Sequence, residues 1–108
     1  MGFSIIGSDR GSARVVIDGT LDDGSLYVLR IELATLLRGH PERVQLSIKR
    51  PHLIDDSSRG LLVSFLDLLH AQGGRLVLCE LGGQAVEIVE RPQIDRLLRR
   101  QSSSLGAQ

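Results

Sequence analysis

Residues 51 to 65 read PHLIDDSSRGLLVSF, which sets two carboxylates, Asp55 and Asp56, and two hydroxyls, Ser57 and Ser58, between an apolar strand end and an apolar helical run. Two kinds of chemistry suit such a junction. One is capping: side-chain oxygens of Asp and Ser accept the unpaired N–H groups of a helix start, and carboxylates suit the positive end of its dipole. One cap is enough for that purpose, however, and here four polar side chains stand in a row. The other is a modification site, because a helix N-terminus is also where backbone donors stabilise a phosphate carried by a serine.

Enzymatic uses of the same residues find little support elsewhere in the chain. A serine hydrolase needs a histidine and an acid converging on Ser57. His40 falls in a turn, His52 just before a strand end and His70 at a helix end, so only His52 is near in sequence, and a loop histidine is its plain reading. A response-regulator receiver also carries an acidic pair, but after its first strand, with a phosphoacceptor aspartate after the third and a lysine after the fifth. No two histidines stand at metal-ligand spacing, and one cysteine, Cys79, cannot build a zinc site. The glycine-rich GSDRGS at 7 to 12 lacks the lysine and following helix of a phosphate-binding loop and reads as a turn. No catalytic residue, metal or cofactor is expected.

Composition narrows the partner. Lys and Arg total 13 and Asp and Glu total 13 in 108 residues, so no field of one sign is available to hold nucleic acid or anionic lipid. Phe3, Tyr27 and Phe65 are the three aromatic side chains, too few to stack a row of bases. The lone cysteine gives no internal disulfide, the amino end lacks the pattern of a signal peptide, and no apolar run approaches the ~20 residues that span a bilayer. A cytoplasmic protein that binds another protein, without membrane insertion, is the expectation.

The elements that position the junction follow from hydrophobic periodicity. ARVVID at 13 to 18 is a strand ending at Gly19, and Leu26, Leu29, Leu33, Leu36 and Leu37 mark one face of a first helix that Gly39 and Pro41 close. RVQLSIK at 43 to 49 alternates with a period of two, the mark of a strand with one buried and one polar face. Leu61, Leu62, Phe65, Leu66 and Leu69 define a second helix ending at Gly73 and Gly74, and RLVLCEL at 75 to 81 is the next strand. Residues 84 to 90, QAVEIVE, read as a short helix stopped by Pro92, and QIDRLLRR as one more, its basic end suiting the negative helix terminus. With a short leading strand at Phe3, Ile5 and Ile6, the order is β, β, α, β, α, β, α. This predicts one α/β domain over residues 1–100 with a mixed sheet covered mainly on one face, followed by a frayed tail at 101–108.

The order and spacing of three segments resemble the STAS family, the sulphate-transporter and anti-sigma-factor-antagonist domains. LIDDSSRGLLVSFLDLLHAQGGRLVL follows without a gap that family's strand ending in Ile-Asp, its Ser-Ser-Gly and its helix closed by Gly-Gly, with Asp55 as the family aspartate. GTLD at 19 to 22 is similar to the family's Gly-Glu-Leu-Asp, and IDRLL at 94 to 98 to its Leu-Asp-Arg-Leu-Phe. The likeness spans residues 13 to 98. It implies an anti-sigma-factor antagonist that binds an anti-sigma serine kinase and is switched by phosphorylation at Ser57. A register shifted by one residue would move the acceptor to Ser58 but breaks the spacing to Gly73 and Gly74. The implied contact residues are Asp22, Asp55, Asp56, Ser57, Ser58 and Arg59. Three positions depart from the pattern: Ser47 replaces an aspartate of the central strand, Asp56 the first serine, and Ser58 the glycine. A scaffold STAS protein of a stress-signalling complex and the STAS subunit of a phospholipid-transport ATPase are alternatives within the same structural class.

Overall fold

The alternation of buried and polar residues read from the sequence builds a five-stranded mixed sheet in the order β1-β2-β3-β4-β5. The computed structural model describes residues 2–7, 11–79, 84–96 and 98. The strands are β1 (Phe3–Gly7), β2 (Ser12–Ile17), β3 (Arg43–Ile48), β4 (Arg75–Cys79) and β5 (Ala85–Ile88). The inner pairs β2–β3 and β3–β4 are parallel and the outer pairs β1–β2 and β4–β5 antiparallel. The two parallel crossovers are made by α1 (Asp23–Arg38) and α2 (Asp56–Ala71), which therefore run side by side in the same direction.

Register decides which face is covered. Val15, Leu46 and Leu78 are in-register partners across β2, β3 and β4, as are Ala13, Val44 and Leu76, and all face the helices. Leu29, Leu33 and Leu37 of α1 and Leu62, Phe65, Leu66 and Leu69 of α2 fill the other side of this core, joined by Ile94 and Leu98. The opposite face, with Arg14, Gln45 and Ser47, carries no helix among the described residues, so the sheet is covered on one side as the period of two requires. On that open face Gln45 donates from Nε2 to Cys79 Sγ at 2.8 Å.

The segment at 84 to 90 corrects the helix expected there. Ala85–Ile88 is an edge strand, with Val86 opposite Leu78 and Ile88 opposite Leu76. Val86 and Ile88 stand two residues apart, and only a strand turns both toward the core. The helical residues begin at 91, with Pro92 in the first turn, where its missing N–H costs nothing. That segment, 91–96, is tied to α2 by ion pairs of Arg91 with Asp67 and of Asp95 with Arg59. The tail at 101–108 and part of the GSDRGS turn lie outside the described residues.

Both crossover helices end as the glycines foretell, by different means. Past α2, Gly73 takes φ +83°; its N–H bonds His70 O at 2.9 Å and that of Gly74 bonds Leu69 O at 2.9 Å, closing the paired-bond cap. Past α1 the left-handed residue is His40, at φ 49°, while Gly39 keeps an ordinary conformation at φ −81°.

Candidate functional site

Strand β3 ends at Ile48, and the PHLI stretch is not a strand end as expected but a single 3-10 turn over Pro51–Leu53. Pro51 has no N–H to give a ladder and its fixed φ starts the turn instead. The chain then enters α2 directly at Asp56. Asp56, Ser57 and Ser58 thus occupy the first turn of a helix, preceded by two extended residues, Ile54 and Asp55.

The cap of that turn is Asp55. Its Oδ1 accepts the backbone N–H of Ser58 at 2.9 Å, and this bond, with a smaller contribution from the Ser58 hydroxyl, holds the Asp55 carboxyl below its ordinary value. Ser58 is only 2% exposed. Its hydroxyl therefore presents no surface to a partner, and of the four polar side chains in the row it is Asp55 that caps the helix. Asp56 is exposed and paired with Arg59. Arg59 also reaches Asp95, Nε to Oδ1 at 3.3 Å, so its charge is shared between two carboxylates. Asp95 Oδ1 is shielded from water and has no aligned hydrogen bond, so this oxygen is held by charge alone.

Ser57 remains: an exposed hydroxyl at the second position of the helix. It also lines the mouth of a groove of 660 Å³ between α1 and α2. From Ser57 the floor and one wall continue through Gly60, Leu61, Ser64 and Leu68, at helical spacing along α2; Leu26, Arg30 and Leu33 form the wall from α1. Leu68, on the α2 wall, is 56% exposed. The sequence signal for the groove lies in the Leu26, Leu33 and Leu37 spacing: Leu33 and Leu37 are core as that spacing implies, and they line the groove as well. What periodicity does not show is that the stripe is wider than the core needs.

Asp22 repeats the arrangement at the first helix. It caps α1, its Oδ1 accepting the N–H of Ser25 at 2.7 Å, and the same bond lowers its pKa. DDGS at 22 to 25 and DDSS at 55 to 58 are therefore two copies of one local solution, an aspartate cap three residues before a serine. Because β2 and β3 are adjacent and parallel, both caps stand at the same end of the sheet. The structure brings Asp22, Asp55, Asp56 and Ser57 to this end; it places Arg59 toward the terminal helical segment and Ser58 inside.

Among the described residues no group of three or more His, Cys, Asp or Glu is placed to hold a metal ion, and no helix is long and apolar enough to cross a membrane. No protein-family model matches this chain, and no curated protein sequence matches it significantly.

Proposed function

We propose that this domain is a protein-binding module of the anti-sigma-factor-antagonist type, docking a serine kinase over the end of the sheet that carries Asp22, Asp55 and Ser57, and released when Ser57 is phosphorylated. The observation that carries this reading is the position of Ser57: a solvent-exposed serine hydroxyl at the mouth of an apolar groove. A kinase reaches it, and a partner seated in the groove covers it.

The electrostatics favour release without unfolding. A phosphate brings a charge of about −1.5 to −2. At the second position of α2 it meets free N–H groups and the positive helix end, which tolerate it. Asp55 and Asp56 stand next to it, and Arg59 is already shared between Asp56 and Asp95, so a partner surface would have to desolvate a net anionic cluster. The helix survives the modification and the contact does not.

The test is affinity capture from the native host with the tagged full chain, its Ser57→Ala variant and its Ser57→Asp variant. The first two are expected to retain a common protein kinase that Ser57→Asp loses, with all three baits melting within a few degrees of one another. Equal retention by Ser57→Asp would refute the switch. Recovery of a sensor complex, or of a permease and its ATPase, would assign the domain to the scaffold or transport class.

A further inference from the structure

The opposite end of the sheet carries a feature that the Ser57 reading does not use. Arg43 and Arg75 are the first residues of β3 and β4 and are direct register partners. In parallel strands partners point the same way, and since Val44 and Leu76 face the core, both arginines stand on the open face. Neighbouring strands are about 4.8 Å apart, so the two side chains leave the sheet side by side, within reach of one ligand. Ion pairs among the described residues engage Arg50, Arg59, Arg91 and Arg96, and none of them involves Arg43 or Arg75.

The backbone beneath them is locked. Gly11 O accepts the N–H of Glu42 at 2.7 Å and that of Arg43 at 3.2 Å, and Glu42 O accepts the N–H of Arg75 at 3.0 Å. The start of β3 is thus bonded to Gly11 and the start of β4 to Glu42, and the arginine stems leave from fixed points. Both arginines line a concavity of 540 Å³ with Ser12, Glu42 and Gly73, and a second of 260 Å³ with Val77, Ala85 and Glu87. Neither glutamate forms an ion pair with either guanidinium among the described residues.

The geometry points to a phosphate-binding site at the Arg43–Arg75 pair. Two like charges in register repel until an anion sits between them, and the planar fork of a guanidinium matches the oxygens of a phosphate with two parallel hydrogen bonds. Two forks on adjacent strands bring two positive charges, which a phosphate with three free oxygens and a charge of about −1.5 to −2 matches better than a singly charged carboxylate. The phosphate is either that of a soluble polyphosphate or ester, or that of a lipid headgroup.

Titration of the full chain with inorganic pyrophosphate at constant ionic strength, followed through the arginine Nε–H signals, tests the site. The signals of Arg43 and Arg75 are expected to shift and saturate, and Arg43→Gln or Arg75→Gln to weaken binding by about tenfold, the loss of one charged hydrogen-bonding partner. Arg14→Gln is the control, because Arg14 lies on the same open face two residues along β2 from the Ser12–Arg43 row. Co-sedimentation with phosphatidylcholine vesicles containing phosphatidic acid distinguishes the source: binding there, sensitive to both variants, with no saturation by pyrophosphate, assigns a headgroup. Silence in both arms, equal saturation by acetate, or an equal loss in Arg14→Gln would overturn the site, the last by showing only a diffuse basic face.

Discussion

Asp55 and Ser58 are bound to each other through the backbone, the Asp55 carboxylate taking the Ser58 N–H at 2.9 Å and so starting α2. This one contact divides the DDSS junction into parts. Asp55 is occupied with the helix end, Ser58 is turned inward, Asp56 is paired with Arg59, and Ser57 is left facing the solvent at the groove mouth.

The division of labour predicts an order of stabilities. Asp55→Ala removes the acceptor of an N–H that has no intrahelical partner and is expected to cost about 1 kcal/mol in urea unfolding. Ser58→Ala keeps the backbone donor and its cap, so its cost is smaller. A larger loss for Ser58→Ala than for Asp55→Ala would show that the hydroxyl, and not the carboxylate, secures the helix start.

Acid unfolding carries the same signature. Asp22 and Asp55 are both held below their ordinary value of 3.8, chiefly by the backbone N–H groups of Ser25 and Ser58. A carboxyl with a depressed pKa in the folded state binds fewer protons than in the unfolded chain, so stability rises with pH across that interval. The contribution is present above the unfolded value and is lost as pH falls through the folded ones. The urea midpoint should therefore be insensitive to these groups near neutrality and decline below about pH 4, near the unfolded carboxylate value. Asp55→Asn, which caps without titrating, should flatten that decline.

Gly60 separates folding from binding. A methyl group built on it meets nothing within 4 Å, and it lies inside α2 on the groove wall. Gly60→Ala should therefore stabilise the domain by roughly 0.5–1 kcal/mol, the usual gain over glycine within a helix. Gly60→Phe, filling the groove, should fold and fail to retain the partner that the unmodified chain captures. Full retention by Gly60→Phe would place the contact surface elsewhere. Gly74 offers the contrast, since a methyl group there falls 2.5 Å from Leu69 Cδ1 and 2.7 Å from Pro41 O.

The edge strand gives a check on the fold itself. Ile88 is 1% exposed while its neighbour Val89 is 60% exposed. Ile88→Ala should cost about 2–5 kcal/mol, as for a fully buried aliphatic side chain, whereas Val89→Ala should change stability by less than about 0.5 kcal/mol. Comparable losses at the two positions would restore the helix that the sequence suggests.

Where the sequence was readable, the reason is length of pattern. Strand β3 shows three alternating pairs and α2 more than two turns of apolar spacing from Leu61 to Leu69, and each was recognisable with its face. Strand β5 has four residues, two of them inward, which is too short for a period of two to stand out beside Glu87, Glu90 and Pro92. The site divides along the same line. That DDSS begins a helix was evident from composition, but which of four polar side chains serves as cap depends on where the backbone turns helical. Asp55 has an extended conformation, φ −91° and ψ 178°, and residue type alone does not reveal it. The groove was hidden for another reason. Leu68 is exposed although Leu69 beside it is core, and only the packing of α1 against α2 separates the two.

The central claim is that charge on Ser57 governs association, and phosphoserine installed at position 57 by genetic encoding tests it most directly. The dissociation constant of this chain for the kinase captured by the unmodified chain is to be compared with that of the unmodified chain by calorimetry at physiological salt. The account predicts binding at least about tenfold weaker for the phosphorylated chain, the factor that corresponds to about 1.4 kcal/mol, with Ser57→Ala unchanged. Equal affinity of the phosphorylated and unmodified chains would contradict it.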